Sequence, residues 1–249
     1  TGSPISGPGV TVTASSKNGT TTVNPDGTVT YKPNSSFTGI DTIVRIVCDT
    51  TPNPDVCDTS YIVMKVTPIL GDSNNTAKMN TPVTVGAPVT LGPGATQQPL
   101  QGPQHGTATV NPDGTIKYTP SPKTVGMDTI KRIICVDGTC DTAIIAIQVI
   151  PDVKDTTAST KEGTPVTIAG PGLTPMNGSN IAYTLAGGSS NGTAIVNPTT
   201  GAVTYTPKPG FVGKDTIKVS VCVSNVGSAA VCDTHLVIIE VAPINKTKP

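Results

Sequence analysis

The sequence predicts an all-β protein made of three tandem β-sandwich domains, and three observations lead to this prediction. Of the 249 residues only 13% are charged and 3% aromatic, whereas the chain holds 26 Gly and 24 Pro. Thr, Val and Ile dominate the remainder, and such β-branched residues fit the pleated surface of a sheet, while Gly and Pro mark turns. A string of residues recurs three times at a constant period, and each copy contains one close pair of cysteines.

The repeat has a period of 87 residues, which is the spacing between the first cysteines of successive pairs. An aspartate inside a Gly-x-Asp-Thr string and a tyrosine two residues before a proline keep the same spacing. The three series are Cys48, Cys135 and Cys222; Asp41, Asp128 and Asp215; and Tyr31, Tyr118 and Tyr205. A fixed period of this kind indicates one structural unit used repeatedly. The string V-x-P closes each copy, which predicts domains at 1–67, 68–150 and 151–242 and a linker or tail at 243–249.

Each copy contains the signatures of a hairpin followed by two long strands. In the first copy residues 20–23 and 28–31 flank the turn Asn24-Pro25-Asp26-Gly27, where Pro presets φ and Gly supplies a positive φ. Residues 42–48 and 57–66 then alternate apolar and polar, which is typical of half-buried strands. About seven strands per copy match a β-sandwich of the immunoglobulin class. Three such domains with short Pro-containing linkers predict an extended rod.

The six cysteines are predicted to form local disulfides. They pair as Cys48 with Cys57, Cys135 with Cys140, and Cys222 with Cys232. Structural zinc needs four ligands, and each copy offers two cysteines and no matching histidine. Strand parity puts both cysteines of a pair on the outer face, at facing positions of one hairpin. Disulfides imply a protein that matures outside the cytosol.

The first copy is predicted to lack its first strand. It begins at Thr1, in register with Thr164 of the third copy, so nothing corresponds to residues 71–80 and 152–163. An edge left open in this way is a template for strand addition. Two explanations stay open: the strand lies just upstream in the chain, or an identical subunit donates it and builds a head-to-tail filament.

The string N-G-T-x-x-V-N-P-D-G-T-V-x-Y-x-P, followed by G-x-D-T-I and by V-C-D-T, resembles the bacterial cadherin-like/Ig-like tandem repeats of large surface proteins. Its paired V-C-D version is common in Bacteroidetes-like cell-surface proteins. The resemblance covers essentially the whole chain. It implies stalks or filaments of secreted adhesins and gliding-associated proteins, and some of these relatives bind calcium.

The histidines and the aspartates are the candidate site residues of the chain. His105 is interpreted as a turn residue and His235 as a locally satisfied strand residue; neither recurs, so no catalytic constellation is predicted. The recurring aspartates are expected to accept hydrogen bonds from backbone amides at strand starts, with calcium ligation as the alternative. Around the linkers, Asp72, Asp152 and Asp155 are the calcium candidates.

Charge and hydropathy exclude some partners. The formal net charge is zero and no basic stripe exists, which argues against nucleic acid, and no apolar run approaches 18 residues, which argues against membrane insertion. The leading functional hypothesis is a non-enzymatic structural or adhesive segment of an extracellular, cell-surface protein, whose partners are neighbouring repeats or identical subunits. The alternative is a carbohydrate- or protein-binding Ig-like module that uses the variable segments 97–104 and 176–190, with calcium dependence left open.

Overall fold

A computed structural model of the chain describes residues 7, 9–51, 56–98, 100–225 and 228–244. These residues form strands, turns and loops without a helix, so the all-β prediction is confirmed. It follows that the described part of the chain holds no helix suited to crossing a membrane. The predicted start of the first copy at Thr1 and residues 245–249 of the predicted tail lie outside the described residues. Below, repeats 1, 2 and 3 denote residues up to 67, 68–150 and 151–242.

Repeat 2 is a sandwich of two sheets. Its strands are β6 (Ser73–Lys78), β7 (Val83–Val85), β8 (Thr90–Leu91), β9 (Ala95–Gln97), β10 (Gly106–Val110), β11 (Ile116–Pro120), β12 (Thr124–Val136) and β13 (Thr139–Ile150). The larger sheet has the order β9-β12-β13-β6 and the smaller one the order β10-β11-β7. β8 belongs to neither, because it pairs with a strand of repeat 1.

Repeat 3 has the same plan. Its strands are β14 (Thr156–Lys161), β15 (Val166–Ile168), β16 (Thr174–Met176), β17 (Asn180–Gly187), β18 (Gly192–Val196), β19 (Val203–Pro207), β20 (Gly213–Ser224) and β21 (Val231–Ala242). The sheets are β14-β21-β20-β17 and β15-β19-β18, while β16 pairs with β12 of repeat 2. Seven strands per domain, as expected from the sequence, therefore build repeats 2 and 3.

Repeat 1 has five strands within the described residues. They are β1 (Val10–Ser15), β2 (Gly19–Val23), β3 (Val29–Pro33), β4 (Phe37–Asp49) and β5 (Val56–Val66). β1, β4 and β5 form one sheet, and β2 with β3 forms the other. In the described residues β5 pairs only with β4, whereas the equivalent strands β13 and β21 each carry a parallel strand, β6 or β14, on their other side.

The core of each complete sandwich lies between its two sheets. In repeat 2, Ile130 and Ile147 of the long hairpin pack against Ile116 and Tyr118 of the smaller sheet, and all four are fully buried. Alternation along the strands explains this arrangement, since every second residue points inward. The disulfides follow from the same parity: the predicted pairs form, and each joins residues that face each other across its hairpin.

The predicted turn between the short strands forms in repeats 1 and 2. Gly27 has a φ of 77° and donates its amide to the Asn24 carbonyl over 2.9 Å. The Asp26 carboxylate accepts from both the amide and the hydroxyl of Thr28. Gly114 and Asp113 repeat these roles. These local contacts fix the register of the hairpins, because they hold the loop to one conformation.

Candidate functional site at the repeat junctions

The repeats are connected by linkers that become strands of the next domain. The linker after β5 enters repeat 2 beside the disulfide, and the Leu70 amide donates to the Asp141 carboxylate over 2.6 Å. Two residues later the Asp72 carboxylate accepts from the Ile144 amide over 2.8 Å. The chain then continues as β6, parallel to β13. The strand aspartate thus accepts an amide of the linker, and the linker aspartate accepts an amide of the strand.

The junction between repeats 2 and 3 uses the same pair of contacts. The Val153 amide donates to Asp233 over 2.7 Å, and the Leu236 amide donates to Asp155 over 2.7 Å. β14 then runs parallel to β21. We call this reciprocal pair of contacts the aspartate clasp; it consists of Asp141 with Asp72 in repeat 2 and of Asp233 with Asp155 in repeat 3. Hydrogen bonds from the Leu70 and Thr142 amides hold the pKa of Asp141 below its ordinary value, so the carboxylate is charged at neutral pH.

A short pair of strands joins neighbouring repeats directly at each junction. β8 of repeat 2 pairs in parallel with the start of β4, where Phe37 faces Thr90. β16 of repeat 3 pairs in parallel with the start of β12, where Gly126 faces Met176. Each repeat therefore contacts its predecessor through a short bridge, in addition to the covalent linker, which the clasp holds to the repeat that follows.

The contact between repeats 2 and 3 is apolar at its centre. Met176 of repeat 3 is fully buried in one cluster with Val125 and Val149 of repeat 2 and with Val223. Polar contacts surround this cluster: Asn177 donates to the Met127 carbonyl and Asn225 donates to Gln148, each over 2.8 Å. Because apolar burial and satisfied polar groups occur together, the two domains share part of one core.

A glycine in each repeat permits the short bridge to approach. Gly39, Gly126 and Gly213 occupy equivalent positions, with φ values of 140°, 126° and 132°. A Cβ on Gly39 would lie 2.8 Å from Gly92, and one on Gly126 would lie 2.8 Å from the Cβ of Ser179. A Cβ on Gly213 would meet only the Phe211 ring, at 3.8 Å. The backbone of the following repeat therefore approaches Gly39 and Gly126 closely, at the two junctions that the structure describes.

The recurring Gly-x-Asp-Thr aspartates are structural anchors, as expected. Asp128 is fully buried and accepts from the amides of Gln104, His105 and Thr129. Its fourth donor, the Tyr118 hydroxyl, was not predicted from the sequence. The equal 87-residue spacing of the tyrosine and aspartate series was the signal that could have paired them.

The calcium candidates are divided between the two junctions. Asp72 accepts from the Ile144 amide, and Asp155 occupies the equivalent place in repeat 3. Asp152 instead forms ion pairs with Lys154 at 2.8 Å and Lys78 at 3.8 Å. The described residues contain no group of three or more His, Cys, Asp or Glu side chains placed to hold a metal ion. Calcium binding at these aspartates stays a prediction.

The interpretation of His235 as a locally satisfied residue is wrong. The side chain is buried in repeat 3, and its Nδ1 atom has no hydrogen-bond partner among the described residues. Strand parity explains the burial, since His235 occupies the inward position that Ala143 fills in repeat 2. Burial lowers the pKa of His235, and the nearby carboxylates of Asp233 and Asp155 oppose this shift only in part.

The variable segments are largely structural. Segment 176–190 begins with the buried Met176 and contains β17, which pairs with β20. In segment 97–104, Gln101 forms a bridge with Lys131 of β12. A cleft of about 560 Å³ lies between repeats 1 and 2, beside the buried guanidinium of Arg132, whose Nη1 donates to the Ala87 carbonyl. A second cleft of about 550 Å³ has Gln97, Gln98 and Leu100 of segment 97–104 in its lining.

A model of the bacterial Ig domain matches the chain three times, over residues 1–59, 53–150 and 148–233. The chain belongs to the bacterial Ig domain family. The three Ig domains follow one another along the chain: the second and third matches meet at residues 148–150, next to the junction of repeats 2 and 3, whereas the first and second overlap at residues 53–59 of repeat 1.

Solved structures with similar arrangements are distant from these bacterial Ig domains. An I-band fragment of titin is 9% identical, with a TM-score of 0.33 and coverage of 96% of this chain and 89% of that one. The human desmocollin-1 ectodomain is 13% identical, with a TM-score of 0.27 and coverage of 96% and 55%. An endo-fucoidan hydrolase from glycoside hydrolase family 107 is 14% identical, with a TM-score of 0.30 and coverage of 94% and 39%.

The chain thus spans 39% of the length of that hydrolase. At these scores the likenesses carry no argument about function. No curated protein sequence matches the chain.

Proposed function

We propose that this chain is a stiff structural segment, a stalk or filament portion, of an extracellular adhesive protein on a bacterial cell surface. The observation that carries the proposal is the double connection at each junction, where the covalent linker, held to its own repeat by the aspartate clasp, and a short parallel bridge join the same two domains. Two separated contacts resist bending more than a single flexible linker does, because rotation about one contact must break the other.

Three further features support this role. Local disulfides close the hairpin of every repeat, and oxidised cysteines are typical of proteins that mature outside the cytosol. The recurring aspartates are engaged by backbone amides, which makes them anchors of the fold rather than acids or bases of a reaction. Repeats that contact only their neighbours provide length, and a long chain of them places a terminal domain far from its attachment point. A non-enzymatic role fits all three.

The test is small-angle scattering of the 249-residue chain together with a junction variant. Strands of 8–10 residues predict domains of about 30–40 Å and a rod of about 100–120 Å for three. Met176→Asp places a charge in the apolar contact between repeats 2 and 3, so we expect a broader distribution of interatomic distances. Ile195→Asp is the matched control, because Ile195 is 71% exposed on β18.

Two outcomes would contradict the proposal. One is a compact particle of about 20 Å radius of gyration, the size expected of a globule of this length. The other is a distance distribution that Met176→Asp leaves equal to that of the control, which would mean that the junction does not restrict bending.

A further inference from the structure

Among the residues that the structure describes, the long hairpin of repeat 1 has an open edge where the other repeats carry a strand. β13 binds β6 and β21 binds β14, both in parallel and both starting five residues after the second cysteine of the hairpin. In the described residues, the equivalent edge of β5, residues 62–67, has no neighbour. The backbone groups along this edge are therefore available for pairing.

Burial along β5 also differs from that of its two counterparts. Ile62 and Met64 point inward but are only half-buried. Their equivalents in repeat 2, Ile145 and Ile147, are almost completely buried. The residues that help to cover them in repeat 2 come from the linker strand and its end: Ala77 and Met79 belong to the same core cluster. An inward apolar row without this cover leaves a groove along β5.

A cleft opens at the end of β5 where a linker would enter. It has a volume of about 450 Å³, and its lining includes Val47, Asp58 and Ser60. In repeat 2 the residues equivalent to Val47 and Ser60 are Ile134 and Ala143, and both are buried. In repeat 3 the linker residue Val153 packs against the core near the same place. The cleft is thus the position of an apolar linker side chain.

Repeat 1 carries its own half of the aspartate clasp. Asp58 occupies the position of Asp141 and Asp233 and is exposed. The amide of Tyr61 occupies the position of the Ile144 and Leu236 amides, which bind the linker aspartates in the other repeats. Repeat 1 therefore offers the Asp58 carboxylate as an acceptor and the Tyr61 amide as a donor. Their spacing matches a linker in which an aspartate follows an apolar residue by two positions.

We propose that the edge of β5 is a binding site for one kind of ligand: the linker strand of another bacterial Ig repeat of this type. The bound strand runs parallel to β5 and pairs with residues 62–67. Its apolar residue enters the cleft and donates its amide to Asp58, and its aspartate accepts from the Tyr61 amide. After this aspartate, the bound strand has small side chains at its inward positions, as Ser73 and Asn75 are in β6 and Ala158 is in β14.

The edge is selective for this ligand because three requirements must be met together. An unrelated strand can pair with the backbone, but it lacks the carboxylate for Tyr61 and the apolar residue two positions before it. A bulky inward side chain would not fit between the sheets at the places that Ser73 and Asn75 occupy in repeat 2. The proposal does not depend on stiffness of the chain, since it concerns one edge of one domain.

The direct test is binding of a synthetic peptide to the 249-residue chain. The probe is a fluorescently labelled peptide of residues 69–80, and the readout is fluorescence anisotropy. We expect saturable binding that weakens roughly tenfold when the peptide carries Asp72→Ala, and by a similar factor when the chain carries Asp58→Asn, because each change removes a hydrogen bond to a charged group. Asp26→Asn, which alters a carboxylate in the other sheet of repeat 1, should leave the affinity unchanged.

Hydrogen exchange locates the bound peptide independently of affinity. The amides that face the open edge, those of Tyr61, Val63, Lys65 and Thr67, should gain protection when the peptide binds, while those of β13 and β21 should not change. Protection that appears elsewhere, or an affinity insensitive to both aspartate changes, overturns the proposal.

Sedimentation of the chain alone examines the competing occupant, a second copy of the chain. If a linker strand is the ligand, peptide 69–80 should bind whether the chain is a monomer or a dimer. A dimer formed through β5 that the peptide does not displace would overturn the proposal. Neither result would alter the scattering test of stiffness, so the two proposals can fail separately.

Discussion

The Tyr118 hydroxyl donates a 2.9 Å hydrogen bond to the carboxylate of Asp128, ten residues further along the chain. Tyr31 with Asp41 and Tyr205 with Asp215 repeat the contact at the same distance. The tyrosine lies on the smaller sheet and the aspartate on the larger one, so each pair ties the two sheets of its sandwich together. The aspartate also holds the loop before the first short strand, because it accepts amides from that loop.

This hydrogen bond predicts that two substitutions in repeat 2 lower the free energy of unfolding to different extents. Tyr118→Phe removes one buried hydrogen bond and should lower the free energy of unfolding by about 1–2 kcal/mol. Asp128→Ala leaves three backbone amides and the Tyr118 hydroxyl without their acceptor and should cost about 3 kcal/mol or more. Urea unfolding followed by circular dichroism measures both. Equal effects of the two variants would mean that the amide contacts contribute nothing.

The same pair predicts late ionisation of the tyrosine. Burial, followed by the hydrogen bond to Asp41, raises the pKa of Tyr31 to about 12. Burial also acts to raise the pKa of Asp41, but hydrogen bonds from Tyr31 and from the Asn18 and Thr42 amides outweigh it and leave the pKa lowered. Absorbance titration at 295 nm should therefore place Tyr31 well above the ordinary phenol value of about 10. Asp41→Asn should move the transition to lower pH; an unchanged transition contradicts the pairing.

The disulfides predict a local and moderate stabilisation. Each closes a loop of ten residues or fewer, since the cysteines are separated by 9, 5 and 10 positions. The loop-entropy relation gives about 2–3 kcal/mol for loops of this size. Replacing Cys222 and Cys232 together by alanine should lower the stability of repeat 3 by this amount. Mass mapping of non-reduced peptides checks the pairing, and any peptide that joins cysteines of two repeats would disprove it.

His235 predicts a loss of stability on mild acidification. Its pKa is lowered in the folded protein, so the unfolded chain binds a proton more readily. The stabilising contribution is present above the unfolded pKa of about 6.5 and is lost as the pH falls below it. Thermal unfolding between pH 7.5 and 5 should therefore show falling stability of repeat 3. His235→Ala should remove this dependence, whereas His105→Asn should preserve it; a slope that survives in His235→Ala assigns the effect to other groups.

Two glycines offer a matched test of the junction. Gly126→Ala and Gly213→Ala introduce the same methyl group at equivalent positions with positive φ, so the backbone cost is similar. Only at Gly126 does the new Cβ collide with Ser179 and the approach of β16. We expect Gly126→Ala to increase hydrogen exchange of the β16 amides and Gly213→Ala to leave it unchanged. Equal exchange in both variants would mean that the bridge does not need this close approach.

The sequence by itself determined the repeat, the strands and the disulfides. These features are local or periodic: the Asn24 turn forms through contacts within five residues, and Cys135 faces Cys140 because hairpin parity requires it. The 87-residue spacing is visible in the sequence alone. Physical chemistry at short range is enough for such features, since turn residues and alternation act within one hairpin.

Only the tertiary structure decided how the linkers are held and how the repeats meet. The clasp joins Asp72 to Ile144 within repeat 2 and Asp155 to Leu236 within repeat 3, each across more than 70 residues, and β16 inserts Met176 into the core of the preceding domain. No turn or periodicity encodes these contacts, because they depend on which surfaces the folded domains bring together. The burial of His235 depends on the same long-range packing, since parity gives its direction but not the partners that surround it.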